Sequence, residues 1–257
     1  MATRHKKIQG KIAKRGIFLL PNLFTTGALF AGFYAVVAAI DGNFQRAAIG
    51  IFVAMLMDGL DGRIARLTST SSDFGKEYDS LSDMVSFGLA PALVMYQWGV
   101  GRISEYGWIW GKIGWLATFF FAVAAGLRLA RFNTSVSGSD RYFVGLPSPS
   151  AAGLVGSSIW VGTELALDGL IALAGGLAIT VLAGALMISN FQYLSFKKLT
   201  LSERIPFAYV VLIPLVFILI AADPPIVLFA LFLVYALSGP LVYFWRARQE
   251  TPVDTAE

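Results

Sequence analysis

Met57-Asp58-Gly59-Leu60-Asp61-Gly62-Arg63-Ile64-Ala65-Arg66, followed after a short loop by Gly75-Lys76-Glu77-Tyr78-Asp79-Ser80-Leu81-Ser82-Asp83, places four aspartates in otherwise apolar surroundings. Asp58 and Asp61 stand three residues apart, and Asp79 and Asp83 four apart. On a helix of about 3.6 residues per turn, each pair lies on one face. The connecting loop Thr68–Phe74 is short and rich in Ser and Thr. The two helices are therefore expected as antiparallel neighbours, with four carboxylates converging at one end of a bundle.

The surroundings of this stretch decide what kind of bundle it is. The chain has 257 residues, of which 56% are hydrophobic and 14% charged. Soluble domains carry about 25% charged residues. Mean hydropathy is +0.68. A soluble enzyme domain, a disordered tail protein and a disulfide scaffold are excluded on these grounds. Apolar stretches near 17–40, 46–66, 79–98, 108–132, 149–163, 169–190, 205–222 and 224–246 read as bilayer spans of about 20 residues. The fifth is short and polar at its start, so six or seven spans remain open beside eight. The last two are separated by Asp223-Pro224-Pro225, a tight helix-to-helix stop. The expected fold is an all-α, polytopic membrane helical bundle without repeats. A basic N-terminal segment, 1–16, precedes a catalytic bundle, 17–200. A two-helix extension, 201–247, and a polar tail, 248–257, follow.

Charge placement orients the bundle. With the N-terminus in the cytoplasm and eight alternating spans, 17 of the 20 Lys and Arg residues fall on the cytoplasmic side. Arg46, Arg102 and Lys112 alone fall outside. That asymmetry is the positive-inside pattern, and it puts the aspartates on the cytoplasmic face. The Arg4–Arg15 stretch fits a segment held by anionic head groups better than a nucleic-acid arm. Trp98, Trp108 and Trp110 are expected in an aromatic belt at one outer boundary. There is no Cys, and the single His is His5. Catalysis must therefore draw on carboxylates, Lys, Arg, Tyr, hydroxyls and metal.

Charged side chains at membrane depth cost roughly 2.5–3.5 kcal/mol each on insertion scales, and four acids also repel one another. Arg63, Arg66 and Lys76 are too few and scattered to compensate. Hard divalent cations bind carboxylate oxygens, and a pair of them clamps phosphoryl groups. Gly59, Gly62 and Ala65 keep the acidic face open to a bulky polar ligand. Arg66 lies about 80° around the helix from Asp58, within reach of a phosphate on that face. Two other readings stay open from the residues alone: interfacial helix-end acids, as Asp73 and Glu77 are expected to be, or an ion relay as in transporters.

Asp58-x-x-Asp61-Gly62-x-x-Ala65-Arg66, then eight residues, then Gly75-x-x-x-Asp79-x-x-x-Asp83 resembles the full signature of the CDP-alcohol phosphatidyltransferases, with all eight positions matched. The resemblance implies that family's fold and its chemistry, the joining of a CDP-linked lipid to an alcohol with release of CMP. It implies that Asp58, Asp61 and Asp79 hold two divalent cations, Mg²⁺ or Mn²⁺. Asp83 would complete the metal site and serve as general base. Gly62, Arg66, Ser72 and Gly75 would contact the CDP-lipid. Pro21-Asn22-Leu23-Phe24-Thr25 is similar to the family's first helix, where Asn22 and Thr25 would face the nucleotide.

Arg128-Leu129-Ala130-Arg131-Phe132-Asn133, Phe143-Val144-Gly145-Leu146-Pro147-Ser148-Pro149 and Tyr193-Leu194-Ser195-Phe196-Lys197 together resemble the bacterial membrane-embedded phosphatidylserine synthase branch. This implies CDP-diacylglycerol and L-serine as substrates. Arg128 and Arg131, three apart on the cytoplasmic side, are expected to bind the serine carboxylate and Asn133 its ammonium. A homodimer in the bacterial cytoplasmic (inner) membrane is expected with them, and no nucleic-acid partner. Inositol, glycerol phosphate, choline, or serine on an archaeal-type lipid remain as alternatives.

Overall fold

The computed structural model describes residues 19–68, 72–101, 105, 107–134, 142–167, 169–194 and 207–249. The basic segment 1–16 lies outside them. Helix α1 (Leu19–Ile40) is apolar all round from Gly27 onward, as a helix surrounded by lipid and protein must be. It ends on Gly42, at φ 75°. The Gly42 amide bonds to Ala39 O at 3.0 Å and the Asn43 amide to Ala38 O at 2.8 Å, a Schellman stop that turns the chain back. Helix α2 (Phe44–Thr68) then lies antiparallel along α1. Their seam is made of small residues: Ala31, Ala35, Ala47 and Ala54 are buried. A Cβ on Gly50 would stand 3.0 Å from that of Ala35. Such closeness supplies dispersion contacts where lipid removes the hydrophobic drive between helices.

Helix α3 (Asp73–Asp83) is capped by Ser72, whose Oγ accepts from the Gly75 amide at 3.0 Å. It does not continue as the regular helix expected over 79–98. Residues Met84–Leu89 form a π-helical turn before α4 (Ala90–Trp98). The Ala90 amide reaches back to Val85 O, and Pro91, with no N–H to offer, follows. The turn lies against α1, where Ser82 Oγ donates to Thr25 O and Ser86 Oγ to Ala28 O, each at 3.1 Å. The Gly32 position of α1 admits this approach, since a Cβ there would stand 2.8 Å from Ser86.

Helices α5 (Trp108–Thr134), α6 (Ser148–Glu164), α7 (Gly169–Ile188), α8 (Phe207–Ala222) and α9 (Pro224–Gln249) complete the helical set. Helices thus occur at each stretch read as apolar. By length and composition, Pro21–Ile40, Trp108–Thr134 and Pro224–Arg246 suffice to cross a membrane, and Ala172–Ile188 is a shorter apolar helix. The polar-starting fifth stretch, α6, is the central helix. It packs on α2, α7, α9 and α4, and Ser148, Ala151, Ala152, Leu154, Val155 and Ser157 are fully buried. Ser157, Ser158 and Thr163 donate to backbone carbonyls of the preceding turn, which lets a polar helix sit at the centre. Asp223 accepts from the Ile226 amide at 3.3 Å and starts α9, as the Asp-Pro-Pro stop anticipates.

Two features depart from the sequence expectation. A two-stranded antiparallel ribbon pairs β1 (Tyr142–Val144) with β2 (Gln192–Leu194), Phe143 opposite Tyr193. Strands of three residues are too short for a period to register. Trp98 also leaves the expected belt. Trp108 and Trp110 are exposed, whereas the Trp98 ring turns inward against Gly162 and Gly176, where missing side chains make room.

Candidate active site

The α1–α2 hairpin and the capped α3 bring the acids together. One carboxylate oxygen from each of Asp58, Asp61 and Asp79 lies within 4.8 Å of the others. The Asp83 side chain does not join that triad but lies against Asp58. Asp61 is the most enclosed, at 5% exposure. Thr25 Oγ1, on α1, lies 2.8 Å from Asp61 Oδ2 and 3.1 Å from Pro21 O, so its single proton is shared between them. Among the described residues, no Lys or Arg forms an ion pair with the four acids. The pair Lys76–Asp73, at 3.9 Å, lies apart on the exposed first turn of α3.

This donor set fits hard divalent cations. Metal–oxygen distances of about 2.0–2.6 Å allow one ion to touch two oxygens less than 4.8 Å apart. A cluster of like charges that forms no ion pair with a described Lys or Arg is compensated by such ions. Gly59 and Gly62, exposed on the same helix, have nothing within 4 Å of where a Cβ would stand. A glycine in a helix interior costs roughly 0.5–1 kcal/mol relative to alanine. Among the described residues no neighbour requires these two, and their bareness leaves that face open to approach from outside.

The remaining residues named from the sequence divide. Asn22, Ser72 and Gly75 meet at one spot: a Cβ on Gly75 would stand 3.1 Å from Ser72 Oγ and 3.4 Å from Asn22 Oδ1. Thr25 points its hydroxyl at Asp61. The Arg66 side chain lies outside the described residues. Asn133 Nδ2 donates to Ser80 Oγ at 2.9 Å, which places the end of α5 beside the helix of Asp79 and Asp83. The two arginines do not converge. Arg128 is largely enclosed, and its NH1 donates to Ser148 Oγ at 2.8 Å. It lies within electrostatic range of Asp83. Arg131 is exposed and donates to Asn190 Oδ1 at 2.9 Å. A spacing of three leaves about 60° between side chains on a helix, enough to turn one inward and the other out.

Sequence reasoning missed Ser148, Tyr78 and Tyr235. Ser148 stands inside the quoted Pro147-Ser148-Pro149 run, which was the available signal. Tyr78 Oη shares a 2.9 Å hydrogen bond with Thr26 Oγ1 and ties α3 to α1. Tyr235 sits on a helix with no readable motif.

The helix Asp73–Asp83 packs on α1 rather than along α2, and from there Asp79 meets Asp58 and Asp61 of α2 in the donor set that cation-assisted phosphoryl transfer requires. The model of the family described as CDP-alcohol phosphatidyltransferase matches residues 18–189, and the chain belongs to that family. Among its relatives is a protein named CDP-diacylglycerol–serine O-phosphatidyltransferase from Helicobacter pylori. It is 36% identical over 208 residues, covering 79% of this chain and 83% of the relative. An archaetidylserine synthase from Methanothermobacter thermautotrophicus is 34% identical over 190 residues, covering 73% and 72%. A CDP-diacylglycerol–serine O-phosphatidyltransferase from Saccharomyces cerevisiae is 37% identical over 147 residues, covering 49% and 48%.

Proposed function

We propose that this chain transfers the phosphatidyl group of CDP-diacylglycerol to the hydroxyl of L-serine, giving phosphatidylserine and CMP. The convergence of Asp58, Asp61 and Asp79, with Asp83 beside them, carries the reading. The serine acceptor draws support from the names of the relatives. The serine oxygen forms a bond to the lipid-side phosphorus, the bond from that phosphorus to the bridging oxygen breaks, and CMP leaves. Asp83 takes the hydroxyl proton. Two divalent cations, Mg²⁺ or Mn²⁺, held by Asp58, Asp61 and Asp79 and completed by Asp83, would neutralise the pyrophosphate and the departing CMP. Asn22, Ser72, Gly75, Gly62 and Arg66 hold the nucleotide end, and Thr25 orients Asp61. Arg128 takes the serine carboxylate. Asn133 offers its carbonyl to the ammonium, and Arg131, fixed to Asn190, closes the outer side of the acceptor site.

On this reading the chain spans the bacterial cytoplasmic membrane about eight times. The site opens to the cytoplasm, so the nucleotide enters from water while the acyl chains stay in lipid. The exposed apolar face of α9, with Leu241, Phe244 and Trp245, offers a contact for a homodimer.

The test is incubation of purified protein with CDP-diacylglycerol, Mn²⁺ and a panel of labelled alcohols. Labelled phosphatidylserine and stoichiometric CMP are expected, with EDTA stopping the reaction and Mn²⁺ or Mg²⁺ restoring it. Another labelled lipid from the panel would replace serine in the reading. The likeness to the archaetidylserine synthase favours including an archaeal-type CDP-lipid as a second donor.

The bond from Thr25 to Asp61 makes a separate prediction. Partners that orient a ligand are typically worth 10–100-fold in metal affinity. Thr25→Val keeps the shape and removes the hydroxyl. It should raise the Mn²⁺ concentration for half-maximal activity about tenfold or more, with turnover at saturating Mn²⁺ largely kept. An unchanged Mn²⁺ dependence would leave Thr25 with a packing role alone.

A further inference from the structure

Ser148 opens α6 where the backbone has little freedom to move. Just before it, the Gly145 amide bonds to Phe191 O at 2.8 Å and the Leu146 amide to Leu186 O at 2.9 Å. Gly145 adopts φ 81°, and the Met187 carbonyl occupies the place a Cβ would need. Pro147 and Pro149 flank the serine, and each ring fixes its own φ. The Ala151 amide bonds to Pro147 O at 2.9 Å and closes the first turn. Ser148 itself is fully buried. A hydroxyl held by this much backbone is a fixed point for whatever bonds to it.

Arg128 makes that bond: its NH1 donates to Ser148 Oγ at 2.8 Å. The Arg128 Nε–H is enclosed and has no partner. Among the described residues no carboxylate forms an ion pair with this guanidinium. A guanidinium is planar, and its Nε–H and NH2 form the edge facing away from NH1. That edge presents two parallel N–H groups, the match for one carboxylate. Ser148 therefore takes the nitrogen that a side-on carboxylate does not need. A hydroxyl is also neutral, so it holds the group without cancelling its charge. An unmet buried donor is costly, and an anion on that edge relieves the cost.

Two contacts locate this edge in the site. A Cβ on Gly126 would stand 3.5 Å from Met84 Sδ, and Asn133 Nδ2 donates to Ser80 Oγ at 2.9 Å. The stretch 126–133 of α5 thus runs antiparallel to 80–84, and Arg128 falls level with Asp83. A small acceptor that carries both a carboxylate and a reacting hydroxyl needs its cation and its base at one level.

We propose that Ser148 is a positioning residue, which fixes Arg128 so that its Nε–H edge receives the carboxylate of the acceptor. The proposal rests on the serine reading above and adds the origin of a preference for acceptors with a carboxylate. Holding an arginine in one rotamer costs entropy. Here that cost falls on folding instead of on acceptor binding, which is what preorganisation means.

The experiment compares full-length wild type, Ser148→Ala and Ser157→Ala, each also in an Arg128→Met background. Ser157 is equally buried on α6, but donates to Gly153 O at 2.7 Å within its own helix. Serine KM should rise about three- to tenfold in Ser148→Ala, the effect of one hydrogen bond. It should stay within about twofold in Ser157→Ala, as should CDP-diacylglycerol KM in both variants. In direct competition, the preference for L-serine over L-serinamide, which lacks the carboxylate, should fall in Ser148→Ala alone. That ratio does not depend on how much protein is folded. In the Arg128→Met background, Ser148→Ala should add less than about twofold to serine KM, because a residue acting through Arg128 has nothing left to act on. If the alanine variant does not fold, Ser148→Cys, close in volume and a weaker acceptor, should lower the same preference. Equal serine KM shifts in the two single variants, an unchanged preference, or an undiminished effect in the Arg128→Met background would overturn the role of Ser148 while leaving serine as acceptor. Wild type that turns over CDP-diacylglycerol with another alcohol but not serine overturns both.

Discussion

Asp83→Asn is expected to reduce phosphatidylserine formation by about 10²–10⁴-fold, the usual worth of a general base, while CDP-diacylglycerol still binds. Serine's hydroxyl is a weak nucleophile until its proton has somewhere to go. Asp83 is the acid that stands outside the 4.8 Å triad and against Asp58, on the side reached by Arg128. Asparagine keeps its volume and its ability to hydrogen-bond Asp58, but cannot take the proton. Asp79→Asn should behave differently, because it removes a member of the triad and weakens metal and nucleotide binding together. Binding is read by equilibrium retention of labelled CDP-lipid and turnover by released CMP. If Asp83→Asn keeps more than about a tenth of wild-type turnover, well above the loss a missing base brings, the proton goes elsewhere.

Arg128→Met tests the other half of the site. It preserves an apolar stem and removes the charge. A hydrogen bond to a charged group contributes about 1.5–3 kcal/mol, so serine KM should rise roughly 10–150-fold with little change in the CDP-lipid KM. Arg131→Ala, at an exposed residue bonded to Asn190, should cost much less. Reversal of the two effects would return Arg131 to the centre of the acceptor site.

What could be read from the residues follows from how each signal arises. Spans such as 108–132 and 224–246 announce themselves because lipid leaves the backbone no option but helix. Each Asp pair could be placed on one face of its helix because spacings of three and four have one meaning there, whereas the packing of α3 on α1 rather than along α2 could not be read from spacing. Finer placements turn on contacts between elements distant in sequence. The π-turn at Met84–Leu89 fits around Gly32 and Pro91, and no local propensity encodes it. The resemblance places Thr25 at the nucleotide, and no local signal shows that its hydroxyl also bonds Asp61, 36 residues away. Arg128 and Arg131 shared a motif, but the fold sends one to Ser148 and the other to Asn190. The bond from Tyr235 to Leu194 O was invisible because it depends on the ribbon, whose three-residue strands leave no pattern.

Removing one acid should stabilise the metal-free protein while abolishing its response to metal. Asp58 faces the charges of Asp61 and Asp79, so without cations its own charge is opposed by both. Asp58→Asn relieves that repulsion and should raise the thermal midpoint measured in EDTA. In wild type, Mn²⁺ is expected to bind the folded state alone. At about 100 times its dissociation constant it should add roughly 2.7 kcal/mol, a rise of several degrees in the midpoint. Asp58→Asn should lose most of that rise together with turnover. The two effects have opposite signs, which separates an ion-binding cluster from a structural one. Were the acids there only to hold helices together through shared hydrogen bonds, Asp58→Asn would melt earlier in EDTA and Mn²⁺ would shift neither protein. A Mn²⁺ titration of both midpoints in the same detergent decides between them without reference to the acceptor alcohol.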